Sequence, residues 1–124
     1  MKTIVVVDDN PASRELIREV LDSPEHRIME AADGRQALDL ILASDPDLVL
    51  LDIQLPGLDG YSVVRRLRQN PRFTALKVVA ITAFAMHGDR EKALAAGFDG
   101  YITKPIDICN LEEQVQDLLH DDCF

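Results

Sequence analysis

The chain is short of basic residues, cysteines and aromatics and has no long apolar run, and each shortage excludes something. Thirteen Lys and Arg stand against 22 Asp and Glu, a formal charge of −9, so a nucleic-acid backbone is repelled by the molecule as a whole. No apolar stretch approaches the roughly 20 residues that span a bilayer. The N-terminus lacks the charged region, apolar stretch and cleavage site of a signal peptide. The expectation is a cytoplasmic protein without direct nucleic-acid or membrane contact. Cys109 and Cys123 form no CxxC pair and have no clustered Cys or His around them, so both are read as free thiols. His26, His87 and His120 are scattered among polar neighbours and are read as solvated surface residues. Repeats, low-complexity tracts and long linkers are also missing, and 124 residues suit one domain, spanning 1–124.

What is present is a regular alternation. Short runs rich in Val, Ile and Leu at residues 3–7, 27–31, 48–51, 77–81 and 101–103 read as strands. Helical spacing separates them, as in Leu16, Ile17, Val20 and Leu21, and again in Ala37, Leu38, Ile41 and Leu42. Asn10 can cap a helix opening at Pro11, Asp59 one over residues 60–68, and Asp107 the last, with a further helix near 89–96. Apolar strands alternating with helices imply a parallel sheet covered on both faces, a three-layer α/β sandwich of five strands and five helices.

The clearest strands end in polar residues that their apolar runs do not predict. Val7 leads into Asp8 and Asp9, Leu51 into Asp52, Ile81 into Thr82, and residues 101–103 into Lys104. In a parallel sheet these ends emerge on one edge, where open α/β folds place ligands. Three carboxylates brought together there are unfavourable unless protonated, paired or bridged by a cation. Oxygen ligands suit Mg2+, with Mn2+ as a substitute, in an open site that keeps room for waters and phosphate oxygens. A carboxylate beside such an ion can attack phosphorus, Lys104 can supply a second positive charge, and the Thr82 hydroxyl can bond a phosphoryl oxygen. Any one of these residues alone has a plainer reading, Asp8 and Asp9 as helix caps and Thr82 as a β-branched strand end. It is their conjunction that points to a phosphoacceptor.

The motifs VVVDDN at 5–10, LLDIQLPGLDG at 50–60, ITA at 81–83 and YITKP at 101–105 closely resemble response regulator receiver domains over residues 2–119. The resemblance implies a flavodoxin-like, doubly wound (βα)5 sheet in strand order 2-1-3-4-5. It makes Asp52 the phosphoacceptor, Asp8 and Asp9 ligands of Mg2+ with the Gln54 backbone carbonyl completing the set, and Lys104 a contact of the phosphoryl group. It makes Thr82 and Tyr101 the conformational relay and the Lys104–Pro105 bond cis. Gln54 and Phe84 would flank the path of hydrolytic water, the apolar Phe84 slowing phosphoryl loss. The implied partners are a sensor histidine kinase or His-phosphotransfer protein upstream and an unidentified protein downstream, with the chain a monomer or weak homodimer.

Two rival readings fit the sequence less well. A haloacid dehalogenase phosphatase places its nucleophile in DxD after the first strand, whereas this chain has Asp8-Asp9-Asn10 there. A flavodoxin-like electron carrier needs a Ser/Thr/Gly-rich phosphate loop after that strand, and aromatics are only 5%. The expectation is a switch that undergoes self-phosphorylation and autodephosphorylation and is not a multiple-turnover enzyme. A start at Met1 and an end soon after the fifth helix favour a stand-alone regulator. The segment from Asp107 onward holds no Lys or Arg, which argues against pairing through a basic last helix, and basic residues gather instead at Arg65, Arg66, Arg68, Arg72 and Lys77. Gly57 and Gly60 are read as devices for tight turns beside the site.

Overall fold

Strands that are apolar along their whole length need cover on both sides, and that requirement organises the molecule. In the computed structural model, residues 2–55, 57–82 and 88–103 are described, with Leu111, Glu113 and Val115 beyond them. Five parallel strands, β1 (Lys2–Val7), β2 (His26–Ala31), β3 (Leu48–Asp52), β4 (Lys77–Thr82) and β5 (Gly100–Thr103), lie in the order β2-β1-β3-β4-β5. All five residues of β3 are buried, whereas the edge strand β2 is part-exposed and reads only weakly in the sequence.

Alternate side chains of each strand feed two cores. Val5, Val7, Val49, Leu51, Val78 and Ala80 pack on one face under α2 (Gly34–Ser44), α3 (Gly60–Gln69) and α4 (Asp89–Ala96). Ile4, Val6, Leu48, Leu50, Val79 and Ile81 pack on the other, under α1 (Pro11–Leu21) and against Leu111 and Val115. Those two residues and Glu113 are helical; the rest of the expected fifth helix lies outside the described residues. None of the described helices is long and apolar enough to cross a membrane.

The helix starts follow capping chemistry. Asn10 accepts from the Ala12 amide and Pro11 opens α1, while Asp59 accepts from the Ser62 amide at the start of α3, as the sequence predicts. Asp33 does the same for α2 through Gln36, a cap the helical spacing alone did not reveal. Each such cap is worth about 1 kcal/mol.

Several expectations need correction. His26 is only 8% exposed, and its Nδ1 lies 3.0 Å from the Leu21 carbonyl at the end of α1, so it closes that helix instead of facing solvent. Leu16 and Leu42, expected on apolar helix faces, are 37% and 46% exposed. Arg68, grouped in the sequence with Arg65, Arg66, Arg72 and Lys77, is tied into the fold: it bonds the carbonyls of Phe73, Leu76 and Gly97 and the carboxylate of Asp99. Gly57 turns the chain at φ 75°, but Gly60 serves close approach, since a Cβ there would lie 2.7 Å from the backbone oxygen of Asp52.

Candidate metal and phosphoacceptor site

The chain leaves β1 for α1 on one face of the sheet and β3 for α3 on the other, so a crevice opens between the carboxyl ends of β1 and β3. Val7 pairs with Leu51 in register, and one step further Asp8 follows β1 while Asp52 ends β3. Burial differs across the cluster: Asp8 is fully buried, Asp52 is 4% exposed, and Asp9 faces solvent. Ligand oxygens from these three carboxylates all lie within 4.8 Å of one another.

Local backbone geometry aims the two buried acids. The Asn10 amide donates to Asp8 Oδ1 at 2.9 Å, and the Gln54 amide donates to Asp52 Oδ1 at the same distance. Each is an Asx turn, in which a short carboxylate reaches the amide two residues on. Asp8 is also tied through its peptide, its amide donating to the Ala31 carbonyl at 3.2 Å and its carbonyl accepting from Arg14 at 2.6 Å. Beyond Asp52, the Ile53 amide donates to the Ile81 carbonyl, and the Gly60 amide to the Ile53 carbonyl, which lashes the following loop to β4 and α3.

Three carboxylates at this separation repel one another strongly when ionised, and more so where burial removes water. An all-oxygen, acidic, one-sided donor set suits a hard divalent cation that keeps some of its waters. The donors present therefore fit Mg2+. Gln54, whose carbonyl is the expected fourth protein ligand, is an exposed residue in the loop beside Asp52.

Thr82 ends β4, is 3% exposed, and pairs in register with Thr103 at the end of β5. Tyr101, half-buried on β5, pairs with Ala80 and packs against the core under α2, α3 and α4. The two expected relay residues thus sit on adjacent strands. Lys104, Pro105, Phe84, Cys109, Cys123, His87 and His120 lie outside the described residues. The sequence reading missed Arg14, which carries no motif of its own. Its only signal is a place six residues after Asp8 on the half-buried side of α1.

Residues 4–116 match the response regulator receiver domain family. The chain is 35% identical over 120 residues to the polar-differentiation response regulator DivK of Brucella ovis, covering 97% of this chain and 98% of that protein. Among solved structures it resembles the receiver domain of the sensor histidine kinase PA1611 of Pseudomonas aeruginosa, which has a magnesium ion coordinated in its active site cleft. That match has 36% identity and a TM-score of 0.86, covering 95% of this chain and 97% of the other. The receiver domain of Francisella response regulator 1452 superposes with a TM-score of 0.89 at 27% identity, covering 98% of both chains. The phosphatase reading finds no support in these matches. Receiver domains act as signalling switches, bind a divalent metal at an acidic cluster, and interact with histidine kinases and downstream effectors. By fold, by its acidic cluster and by these likenesses, the chain belongs to the response regulator receiver domain family and is a phosphoacceptor signalling switch.

Proposed function

We propose that Asp52 is the phosphoacceptor of a single receiver domain spanning residues 1–124. The observation that carries this reading is the burial of Asp52 at the end of the central strand, within 4.8 Å of Asp8 and Asp9. Its Oδ1 accepts from the Gln54 amide, which holds the carboxylate in a fixed orientation at the strand end. The donor is a phosphohistidine of a sensor kinase or of a His-phosphotransfer protein. As the bond from a carboxylate oxygen of Asp52 to phosphorus forms, the phosphorus–nitrogen bond breaks and its electron pair returns to the imidazole. A divalent cation, when bound, offsets the negative charge of the carboxylates and of the phosphoryl oxygens.

Asp8 and Asp9 hold that cation, joined by Asp52 and by the Gln54 carbonyl. Lys104, next in sequence after Thr103 of β5, supplies a second positive charge to the phosphoryl group. The Thr82 hydroxyl donates to a phosphoryl oxygen, and Tyr101 on the neighbouring strand carries the change to the surface. Output is an altered protein-binding face; phosphoryl gain and loss are both self-catalysed, without multiple turnover on other substrates.

Intact-mass measurement after exposure to a small phosphodonor with Mg2+ tests this reading. Wild type is expected to gain one phosphoryl group and Asp52→Asn none. Phosphorylation persisting in the variant would overturn the assignment.

A further inference from the structure

The peptide of Asp8 is bonded on both sides. Its amide donates to Ala31 at the end of β2, while its carbonyl accepts from Nη1 of Arg14 at 2.6 Å. Nε of the same guanidinium lies 3.4 Å from Oε1 of Glu30, the residue before Ala31, and Oε2 of Glu30 accepts from Arg18 at 2.7 Å. A closed circuit therefore joins the end of β1, the first turns of α1 and the end of β2. Arg14 is the inner member, its side chain 18% exposed against 53% for Arg18. Ion pairs exposed to this degree contribute little energy of their own. The geometric consequence is larger: fixing the Asp8 carbonyl fixes the peptide plane that leads into Asp9.

We propose that Arg14 is a positioning residue for cation binding, holding the segment that carries Asp8 and Asp9 in its binding geometry before any ion arrives. The inference rests on the reading of Asp8, Asp9 and Asp52 as the cation site. Two effects of Arg14 oppose one another. As a positive charge near the site it would weaken cation binding; as a brace it strengthens it. Its guanidinium faces a carbonyl and the Glu30 carboxylate, which offset that charge, so bracing prevails.

Calorimetric titration of the unphosphorylated protein with Mg2+ separates the two. Bracing predicts roughly tenfold weaker binding in Arg14→Ala, the size usual for groups that orient metal ligands. A smaller loss is expected in Arg14→Lys, because an ammonium keeps the charge but cannot serve the carbonyl and Glu30 together. Charge alone predicts tighter binding in the first variant and no change in the second. In phosphorylation by a small donor, the Mg2+ concentration for half-maximal rate is expected to rise in both variants while the rate at saturation stays near wild type. Unchanged or tighter Mg2+ binding in Arg14→Ala overturns the proposal, and if that variant does not fold, unchanged binding in Arg14→Lys does so. Failure of wild type to bind Mg2+ would instead remove the cation reading itself.

Discussion

The guanidinium of Arg68 donates to the carbonyls of Gly97 at 2.9 Å, Phe73 at 2.9 Å and Leu76 at 2.7 Å, and reaches Asp99 at 2.7 Å. Asp99 Oδ2 in turn accepts from the Val78 amide, so one side chain joins α3, the 3-10 turn at Pro71–Phe73, the end of α4 and the start of β4. Replacing Arg68 by Ala removes this donor from the part-buried Gly97 and Leu76 carbonyls and leaves the Phe73 carbonyl with the Leu76 amide at 3.3 Å. The expected loss is about 2–3 kcal/mol of stability, the range for hydrogen bonds to a charged group with partial access of water. Arg68→Lys is expected to recover little, because a single ammonium cannot reach four acceptors in a planar fork. Urea unfolding of both variants measures this, and a loss under about 0.5 kcal/mol, the range for surface substitutions, would count against the clamp. Nothing in the local sequence announces the role. In a linear reading Arg68 is one of several arginines, and its partners lie 5, 8, 29 and 31 residues away.

At the scale of the elements, the approach of α3 to the end of β3 sets where Asp52 meets its loop. Gly60 opens α3, and a Cβ there would lie 2.7 Å from both Asp52 O and Ile53 Cα. In an isolated helix Gly→Ala would stabilise by about 1 kcal/mol. Here overpacking prevails, because the atoms met are backbone and cannot rotate away, and a net loss of about 1–3 kcal/mol is expected for Gly60→Ala. Displacing the Asp52 peptide is also expected to slow phosphorylation at saturating Mg2+, unlike the Arg14 variants, whose defect lies in binding the ion. Thermal unfolding and phosphorylation rates check the pair of effects, and a variant as stable and as fast as wild type would refute the packing argument. Strands, caps at Asn10 and Asp59, and the position of α4 were legible in the sequence because each depends on neighbours in the chain. The acidic cluster was legible too, since parallel topology alone carries strand ends to one edge. Close approaches at Gly60 and Gly34, and the burial of His26, were not, because they depend on which elements meet in space.

For the whole molecule the decisive quantity is charge. At −9, with three of its carboxylates gathered within 4.8 Å, the folded chain without a cation carries a concentrated repulsion that the unfolded chain dilutes. An ion that binds the folded state alone adds RT ln(1 + [L]/Kd), about 2.7 kcal/mol at a hundredfold excess over Kd. Stability is therefore expected to rise with the logarithm of Mg2+ once the site begins to fill, and to fall back on chelation. Asp9→Asn separates this from general screening. Asp9 is the exposed member of the cluster, so removing its charge should disturb packing little, relieve repulsion and raise stability without Mg2+. The same change deletes a ligand charge, so the gain on adding Mg2+ should shrink. Monovalent salt at matched ionic strength is expected to raise wild type and variant by similar amounts, because it screens the whole surface without occupying the site. Thermal unfolding of both proteins with chelator, with NaCl and with Mg2+ distinguishes the cases. An equal Mg2+ response in the two would mean that the ion acts on the net charge and not at Asp8, Asp9 and Asp52. A variant less stable than wild type without Mg2+ would mean that Asp9 contributes more to the fold than its charge takes away.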